Sequence, residues 1–455
     1  MQLSGQKVVV VGLARSGLSV ARFLADQNAR VTVTDQAAEQ GLGPFAEEAR
    51  RLGVHLELGG HRAETLAAAD LIVISPGVPH TIQPLERARQ SGIPVIGEVE
   101  LAARFIGKPI LAVSGTNGKT TTTELLGRML AVAGKEVYVG GNIGNPLIDI
   151  VGRDEELDLV VAEISSFQLD TASAFRPHVA VLLNISPDHL DRYDSIEHYA
   201  ASKGRLFMNQ GPGDFAICNG GDDLVQGQCR SVRSRLLNFY ARPCNNGGQG
   251  QGAIITPRQI AITVPEVAEG RIELSRTTLV GPHNRENIAA ASLAALTVGV
   301  EFEAIQKAVD GFQALAHRLE PVATVKGVQF VNDSKATNVD AVIRALECFE
   351  RPVVLIMGGR NKGYDFGMLS RHVSERVKRL VVMGESGKEI LETLGTAPAQ
   401  GAETALDMAD AVRRAYAASE AGDTVLLSPA CASFDMFANY AERGEAFRRS
   451  VGELA

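Results

Sequence analysis

The chemistry is most legible at residues 115–120, which read GTNGKT and follow the apolar run 109–114. Backbone N–H groups of such a turn can surround phosphate oxygens, while Lys119 adds a point charge and the Thr120 hydroxyl can take a Mg²⁺ ion. Gly115, Thr116, Asn117, Gly118, Lys119, Thr120 and Thr121 therefore form a candidate nucleoside triphosphate site. The spacing departs from the usual GxxxxGK[ST], because Val113 stands where the first glycine is required. That shorter turn argues against the commonest GTPases and motor ATPases.

A second glycine turn lies at the N-terminus, with Gly12, Ala14 and Gly17 where a dinucleotide fingerprint has three glycines and Asp35 about 20 residues beyond. It suits a nucleotide-containing ligand, and a strand–helix turn packed by small residues is the plainer alternative. Glu163 and His189 close two further strand-like runs, 157–163 and 179–184 with its following loop, where a carboxylate and an imidazole could bind metal. Taken singly, Glu163 reads as a cap or ion-pair partner and His189 as a structural histidine. Lys203, from composition alone, reads as a solvated surface lysine. Farther on, Asn284 and Asn287 open an Ala-rich helix at 288–295, where capping accounts for one of them. Polar clusters at 317–318, 332–338, 358–363 and 428–435 follow strand-like runs and together suggest a substrate face.

The elements that must position these turns are short Val/Ile/Leu runs at 7–11, 30–34, 71–75, 328–332, 352–357, 379–383 and 423–428, alternating with Ala-rich helical patterns. This is the pattern of an α/β protein with mostly parallel sheets, whose ligands sit at the turns after the strands. Three domains are expected: a Rossmann-like unit over 1–97, a central P-loop-type sheet over 98–314 and a Rossmann-like domain over 315–455. A low-complexity patch at 243–252 reads as a flexible loop or hairpin.

The chain has 455 residues, with 45 Lys and Arg against 53 Asp and Glu and a net charge of −8. That balance gives no electrostatic footprint for nucleic acid or anionic lipid. No run offers the roughly 20 apolar residues of a membrane span, and a cytoplasmic location is expected. The five scattered cysteines lack CxxC spacing and read as reduced thiols.

Carried by GTNGKT at 115–120, GGNIG at 140–144, EISSFQL at 163–169, DHLDRY at 188–193, HN at 283–284, HR at 317–318, NDSKATN at 332–338 and SPACASFD at 428–435, the sequence resembles the Mur ligases over essentially its whole length. The last two motifs resemble the branch that adds D-glutamate to UDP-N-acetylmuramoyl-L-alanine in peptidoglycan precursor synthesis. The resemblance implies an ATP-dependent amide ligase that works through an acyl-phosphate, as a monomer, on small-molecule substrates, with domains that close around the reactants.

It further implies that Thr120 and Glu163 hold one Mg²⁺, and that His189 and a carbamylated Lys203 hold a second. Lys119, Asn142, His189 and Lys203 would be catalytic. Asn284, Asn287, Arg318, Asp333 and Lys335 would join the phosphate turn in binding ATP. Ala14, Arg15, Ser16, Asp35, Gln36, Asn142 and Ser165 would hold the UDP-linked substrate, and Thr337, Lys362, Ser433 and Phe434 the D-glutamate. Three positions depart from the family pattern: Ala14 for glycine, Asn361 for aspartate and Tyr440 for phenylalanine. A nicotinamide-dependent oxidoreductase would use the first turn and leave 115–120 idle. A P-loop switch would use 115–120 and leave the third segment idle.

Overall fold

A computed structural model of the chain describes residues 1–189, 192–241 and 251–454. Three sheets follow one another along the sequence. The first holds β1 (Lys7–Val11), β2 (Arg30–Asp35), β3 (His55–Leu58), β4 (Leu71–Ile74) and β5 (Val95–Gly97) in the order β3-β2-β1-β4-β5, all parallel. Its strand order reverses between β1 and β4, the place where an open parallel sheet leaves a crevice for a ligand.

The second sheet contains β6 (Ile110–Ser114), β7 (Val137–Gly141), β8 (Leu159–Glu163), β9 (Val179–Leu182), β10 (Phe215–Asn219), β11 (Arg235–Tyr240), β12 (Gly252–Ile255), β13 (Gln259–Val264) and β14 (Ala268–Glu273). The order is β14-β13-β12-β11-β10-β9-β6-β8-β7, parallel from β7 to β12 and antiparallel from β12 to β14. Every residue of β6, β8, β9 and β10 is buried, which explains their unbroken apolar runs: helices cover both faces. β13 alternates in burial, as a strand with one wet face does.

The third sheet comprises β15 (Glu320–Val325), β16 (Val328–Asn332), β17 (Val353–Gly358), β18 (Val377–Met383), β19 (Ala402–Thr404) and β20 (Thr424–Leu427), ordered β15-β16-β20-β17-β18-β19. β15 and β16 form an antiparallel hairpin and the other pairings are parallel. Apolar clusters fill both of its faces, one around Leu355, Leu380 and Leu426, the other around Phe330, Ile356 and Phe447.

By contacts the chain divides into two compact units. One comprises Met1–Ile185, Glu197–Glu273 and Asn287–Val309; the other comprises Ser186–Ile196, Leu274–Glu286 and Asp310–Ala455. Among the described residues no helix is long and apolar enough to cross a membrane. The expected loop at 243–252 falls almost wholly outside the described residues, and Gly252 itself opens β12.

The cysteine reading needs correction. Cys218 and Cys229 form a disulfide between β10 and the end of the helix Asp223–Cys229, with Cα atoms 7.1 Å apart. Spacing along the sequence concealed this, because a strand, a turn and a short helix return the chain to its starting point. Cys348 and Cys431 are free thiols.

Candidate active site

The phosphate turn is built by two glycines in backbone conformations that side chains rarely adopt. Gly115 has φ 153° and Gly118, the N-cap of the helix Lys119–Val132, has φ 83°. A Cβ at Gly118 would also lie 2.4 Å from the Asn287 side-chain oxygen. Asn184, just past β9, clips the turn in place. Its carbonyl accepts from Thr116 N (2.9 Å), its Oδ1 accepts from Asn117 N (2.8 Å) and its Nδ2 donates to Asn117 O (3.0 Å). Asn287 accepts a hydrogen bond from Thr122 Oγ1 at 3.2 Å, which holds it against the same helix.

Two ammonium groups converge on this turn. Lys119 Nζ donates to the carbonyls of Gly115 (2.9 Å) and Thr116 (2.8 Å), and Lys203 Nζ donates to the same Gly115 oxygen at 2.8 Å. Lys203 is 1% exposed and lies 4.6 Å from the centre of the Tyr199 ring. Composition had suggested a surface lysine. The helix Ile196–Gly204 instead turns Tyr199, Ala200, Ser202 and Lys203 inward, with Ser202 Oγ bonded to Ser166 O at 3.1 Å. A buried and a half-buried lysine beside a helix N-terminus make an anion-seeking site.

Glu163 ends β8 in the same unit and is 2% exposed. Its Oε1 accepts from Asn142 Nδ2 at 2.7 Å, while its Oε2 is buried without a hydrogen-bond partner. An acceptor oxygen left bare in this way suits a hard cation. Burial, reinforced by Glu163, raises the pKa of Glu124 nearby. Among the described residues no three His, Cys, Asp or Glu side chains gather as a metal cluster. Magnesium held by one carboxylate and substrate phosphates needs none. Ser165 caps the helix Ser166–Asp170 in a reciprocal box with Gln168, so packing already uses its hydroxyl.

At the N-terminal turn, Gly12 has φ 97°, and a Cβ on Gly17 would sit 1.9 Å from the Gly12 carbonyl oxygen. Both glycines are therefore required by geometry. Ala14 is extended (φ −124°) and precedes the helix Arg15–Asp26 without a side-chain cap, so alanine fits where the family pattern has glycine. Asp35 accepts from Leu13 N (2.7 Å) and Ala37 N (2.8 Å), so its carboxylate braces the turn itself. Arg15 is hydrogen-bonded to the Asn145 carboxamide, while Ser16 is half-buried and Gln36 exposed.

The other unit carries the remaining candidates. Asp333 accepts from Leu319 N (3.2 Å) and Ser428 Oγ (3.0 Å). Lys335 Nζ lies 3.8 Å above the Tyr440 ring, a contact to the aromatic face that does not use the hydroxyl. Asn361 exchanges hydrogen bonds with the backbone of Tyr364 (2.8 and 3.0 Å) and so closes the turn that contains Lys362. Lys362 and Thr337 are half-buried, Ser433 is 3% exposed and Phe434 is 64% exposed. Asn284 Nδ2 donates to Val280 O at 2.7 Å. His189 has φ 56°, and its backbone N–H bonds the Asp188 carboxylate at 2.9 Å.

Two further residues hold these turns: Asp188, which opens DHLDRY without a role of its own, and Arg443, which lies outside every motif. Asp188 is bonded to the Tyr364 hydroxyl and to Asn338 Nδ2 (3.4 Å). Arg443, 2% exposed, donates to Ser334 Oγ (3.0 Å), Ser334 O (2.8 Å), Cys431 O (3.0 Å) and Gly358 O (3.4 Å). One guanidinium thus ties three of the polar clusters together, and burial lowers its pKa to about 10, which leaves it charged. Nothing local in the sequence marks it.

Burial also pushes the Asp333 carboxyl up to about 7, against the Leu319 N–H, the Ser428 hydroxyl and Arg318. An unfolded aspartate titrates near ~4, so over the interval up to neutrality the folded chain keeps a proton that the unfolded chain has lost. Stability from this group is greatest at low pH and is lost as pH rises through the folded value. Asp333→Asn is expected to flatten the change in urea-unfolding midpoint between about pH 5 and pH 8. An undiminished change would show that Asp333 is ionised throughout.

Comparison with known proteins matches three successive segments of the chain. Residues 6–97 match the Mur ligase MurD-like N-terminal domain, residues 113–295 the Mur ligase middle domain and residues 317–431 the Mur ligase glutamate ligase domain. A UDP-N-acetylmuramoylalanine--D-glutamate ligase of Desulfosudis oleivorans is 50% identical over 100% of this chain and 98% of its own length. One of Desulfatibacillum aliphaticivorans is 49% identical over the whole of both. Among solved structures, a pseudomurein peptide ligase type C from Methanothermus fervidus has a TM-score of 0.61 at 19% identity, covering 99% of this chain and 100% of its own. The UDP-N-acetylmuramate-alanine ligase of Thermotoga maritima has a TM-score of 0.60 at 18% identity, with 98% and 99% covered. These two likenesses bear on the fold alone. With matches to three successive family domains and full-length relatives near half identity, the chain belongs to the Mur ligase family.

Proposed function

We propose that the chain joins the amino group of D-glutamate to the carboxylate of UDP-N-acetylmuramoyl-L-alanine, at the expense of ATP, in the cytoplasm and as a monomer. The observation that carries this is Lys119, first residue of its helix, folded back onto the Gly115 and Thr116 carbonyls of a glycine turn. Such a turn suits the phosphates of a nucleotide. The segments 1–97, 98–314 and 315–455 divide the work, the first taking the uridine diphosphate, the second the ATP phosphates and the third the incoming amino acid.

In the reaction the substrate carboxylate attacks the γ-phosphorus and ADP leaves. The D-glutamate amine then attacks the acyl carbon of the acyl-phosphate, and the tetrahedral intermediate collapses with loss of phosphate and a proton. Phosphoryl transfer needs in-line placement and charge neutralisation more than covalent help. Lys119 and the helix N-terminus supply fixed positive charge, with Gly115, Thr116, Asn117, Gly118 and Thr121 lining the phosphates. Asn142, with His189, orients the attacking carboxylate or the incoming amine. Asn284, Asn287, Arg318, Asp333 and Lys335 hold the remainder of the nucleotide. Ala14, Arg15, Ser16, Asp35, Gln36 and Ser165 take the UDP-linked substrate, and Thr337, Lys362, Ser433 and Phe434 take D-glutamate.

Thr120 and Glu163, with its bare Oε2, would hold one Mg²⁺, and His189 with a carbamylated Lys203 a second. Bound Mg²⁺ neutralises charge developing on the transferred phosphoryl group. Carbamylation removes one proton from the Lys203 ammonium, joins the resulting amine to CO₂ through a new N–C bond and releases a second proton, turning a cation beside Lys119 into an anionic oxygen ligand. Lys203→Ala is expected to turn over slowly and to recover part of its rate when millimolar formate or acetate is added. A variant that carboxylic acids leave unimproved would restrict Lys203 to a packing role.

The reading as a whole is tested by phosphate release from ATP in the presence of UDP-N-acetylmuramoyl-L-alanine with D-glutamate, L-glutamate, L-lysine or diaminopimelate in parallel. Stimulation by D-glutamate alone is expected. Stimulation by another of these amino acids would move the chain to another branch, and stimulation by none would return it to a regulatory ATPase.

A further inference from the structure

Glu98 opens the helix Glu98–Ala103 directly after β5, at the junction of the first two sheets, and is 2% exposed. Its Oε1 accepts from Ile148 N at 2.7 Å and its Oε2 is buried with no hydrogen-bond partner. A buried carboxyl with an idle oxygen costs stability and needs a reason to persist. Glu100, two residues on, shows the contrast: its carboxylate is fully engaged by the N–H groups of Ser173, Ala174 and Phe175 and by Arg104.

The reason lies in what Glu98 holds. Ile148 belongs to the short 3-10 turn Leu147–Ile150, which ends a segment beginning at Gly141. Within that segment Asn142 bonds Glu163, through its side chain at 2.7 Å and its backbone N–H at 2.8 Å. Three residues later Asn145 bonds Arg15. Tyr138 Oη closes the loop on the carbonyls of Asn145 (3.1 Å) and Pro146 (2.9 Å). Ten residues of chain thus connect the turn assigned to the uridine diphosphate with the carboxylate assigned to the reacting end, and Glu98 fixes their far end.

We propose that Glu98 is a positioning residue for the UDP-linked substrate, setting through Ile148 the segment 141–150 that spans the two ends of that substrate's site. The proposal rests on the functional reading above. The charged and titratable groups around it are Asp149 on the 3-10 turn, Tyr138 on β7 and Arg15 on the first helix. Burial, with Asp149 adding to it, raises the Glu98 carboxyl to about 7 against the N–H groups of Ile148 and Leu147. The neutral form sits quietly beside Asp149. Ionisation tightens the Ile148 and Leu147 N–H bonds but sets a second negative charge beside Asp149, against the segment assigned to the anionic substrate, and so opposes that substrate's binding.

The test is calorimetric binding of UDP-N-acetylmuramoyl-L-alanine to the full chain, without ATP or amino acid, at about pH 6, 7 and 8. If the protonated form is the competent one, its share one unit above the midpoint is about a tenth, so the wild-type Kd should rise about tenfold between pH 6 and pH 8. Glu98→Gln keeps the acceptor for Ile148 and cannot ionise. It should bind within about twofold of wild type at pH 6 and hold that Kd to pH 8. Glu98→Ala should bind weakly at every pH, and the Gln variant decides the matter if the Ala variant does not fold. A Gln variant whose Kd climbs with pH like the wild type, or a wild-type Kd flat from pH 6 to pH 8, overturns the positioning role. A wild-type chain that binds no UDP-linked substrate at any pH instead overturns the functional reading on which it rests.

Discussion

A single carbonyl oxygen, that of Gly115, receives two ammonium groups. Water is nearly excluded from Lys203, and the start of the helix Lys119–Val132 adds its own positive end. Positive character from Lys119, the Lys203 ammonium and the helix start is thus gathered at one turn, where an anion is bound favourably. That constraint explains the architecture around it. β6 must be buried along its full length to deliver the turn, Gly115 and Gly118 must take φ values that exclude side chains, and Asn184 must clip the loop from the neighbouring strand.

The same economy governs the other turns. In each sheet the ligand candidates lie just beyond the carboxyl ends of parallel strands, where backbone groups are not consumed by the ladder. Close approach is secured by glycine where a Cβ would collide, as at Gly17 against Gly12 and at Gly359 against Ala432 O (2.2 Å). Polar side chains then fix the turns, half-buried Asp35 for the first and Asn184 for the second, and buried Arg443 for those of the third sheet. Each is satisfied mainly by main-chain groups, so its loss would release a turn without opening a core.

How much of this could be read from the sequence depends on range. The Gly115–Gly118 and Gly12–Gly17 turns were legible as strand–turn–helix units because glycine spacing, a preceding apolar run and a following helix are local signals. The α/β character was legible for the same reason. The antiparallel strands β13 and β14 were not, since partly exposed strands give weak apolar runs. Lys203 and the Cys218–Cys229 pair were misread from composition and spacing, because burial and contact are set by how helices return to the sheet. Asp35 was legible as a position, but its engagement with Leu13 and Ala37 was not. Arg443 and Glu98 carry no motif of their own, and their meaning comes only from the segments they join.

The central claim is that charge gathered at Gly115 serves transfer of a phosphoryl group to a carboxylate. It is tested most directly by labelling the UDP-N-acetylmuramoyl-L-alanine carboxylate with ¹⁸O and following the label through one turnover with ATP and D-glutamate. An acyl-phosphate route requires one labelled oxygen to leave in the inorganic phosphate for each amide formed. Amide formation with unlabelled phosphate would contradict it.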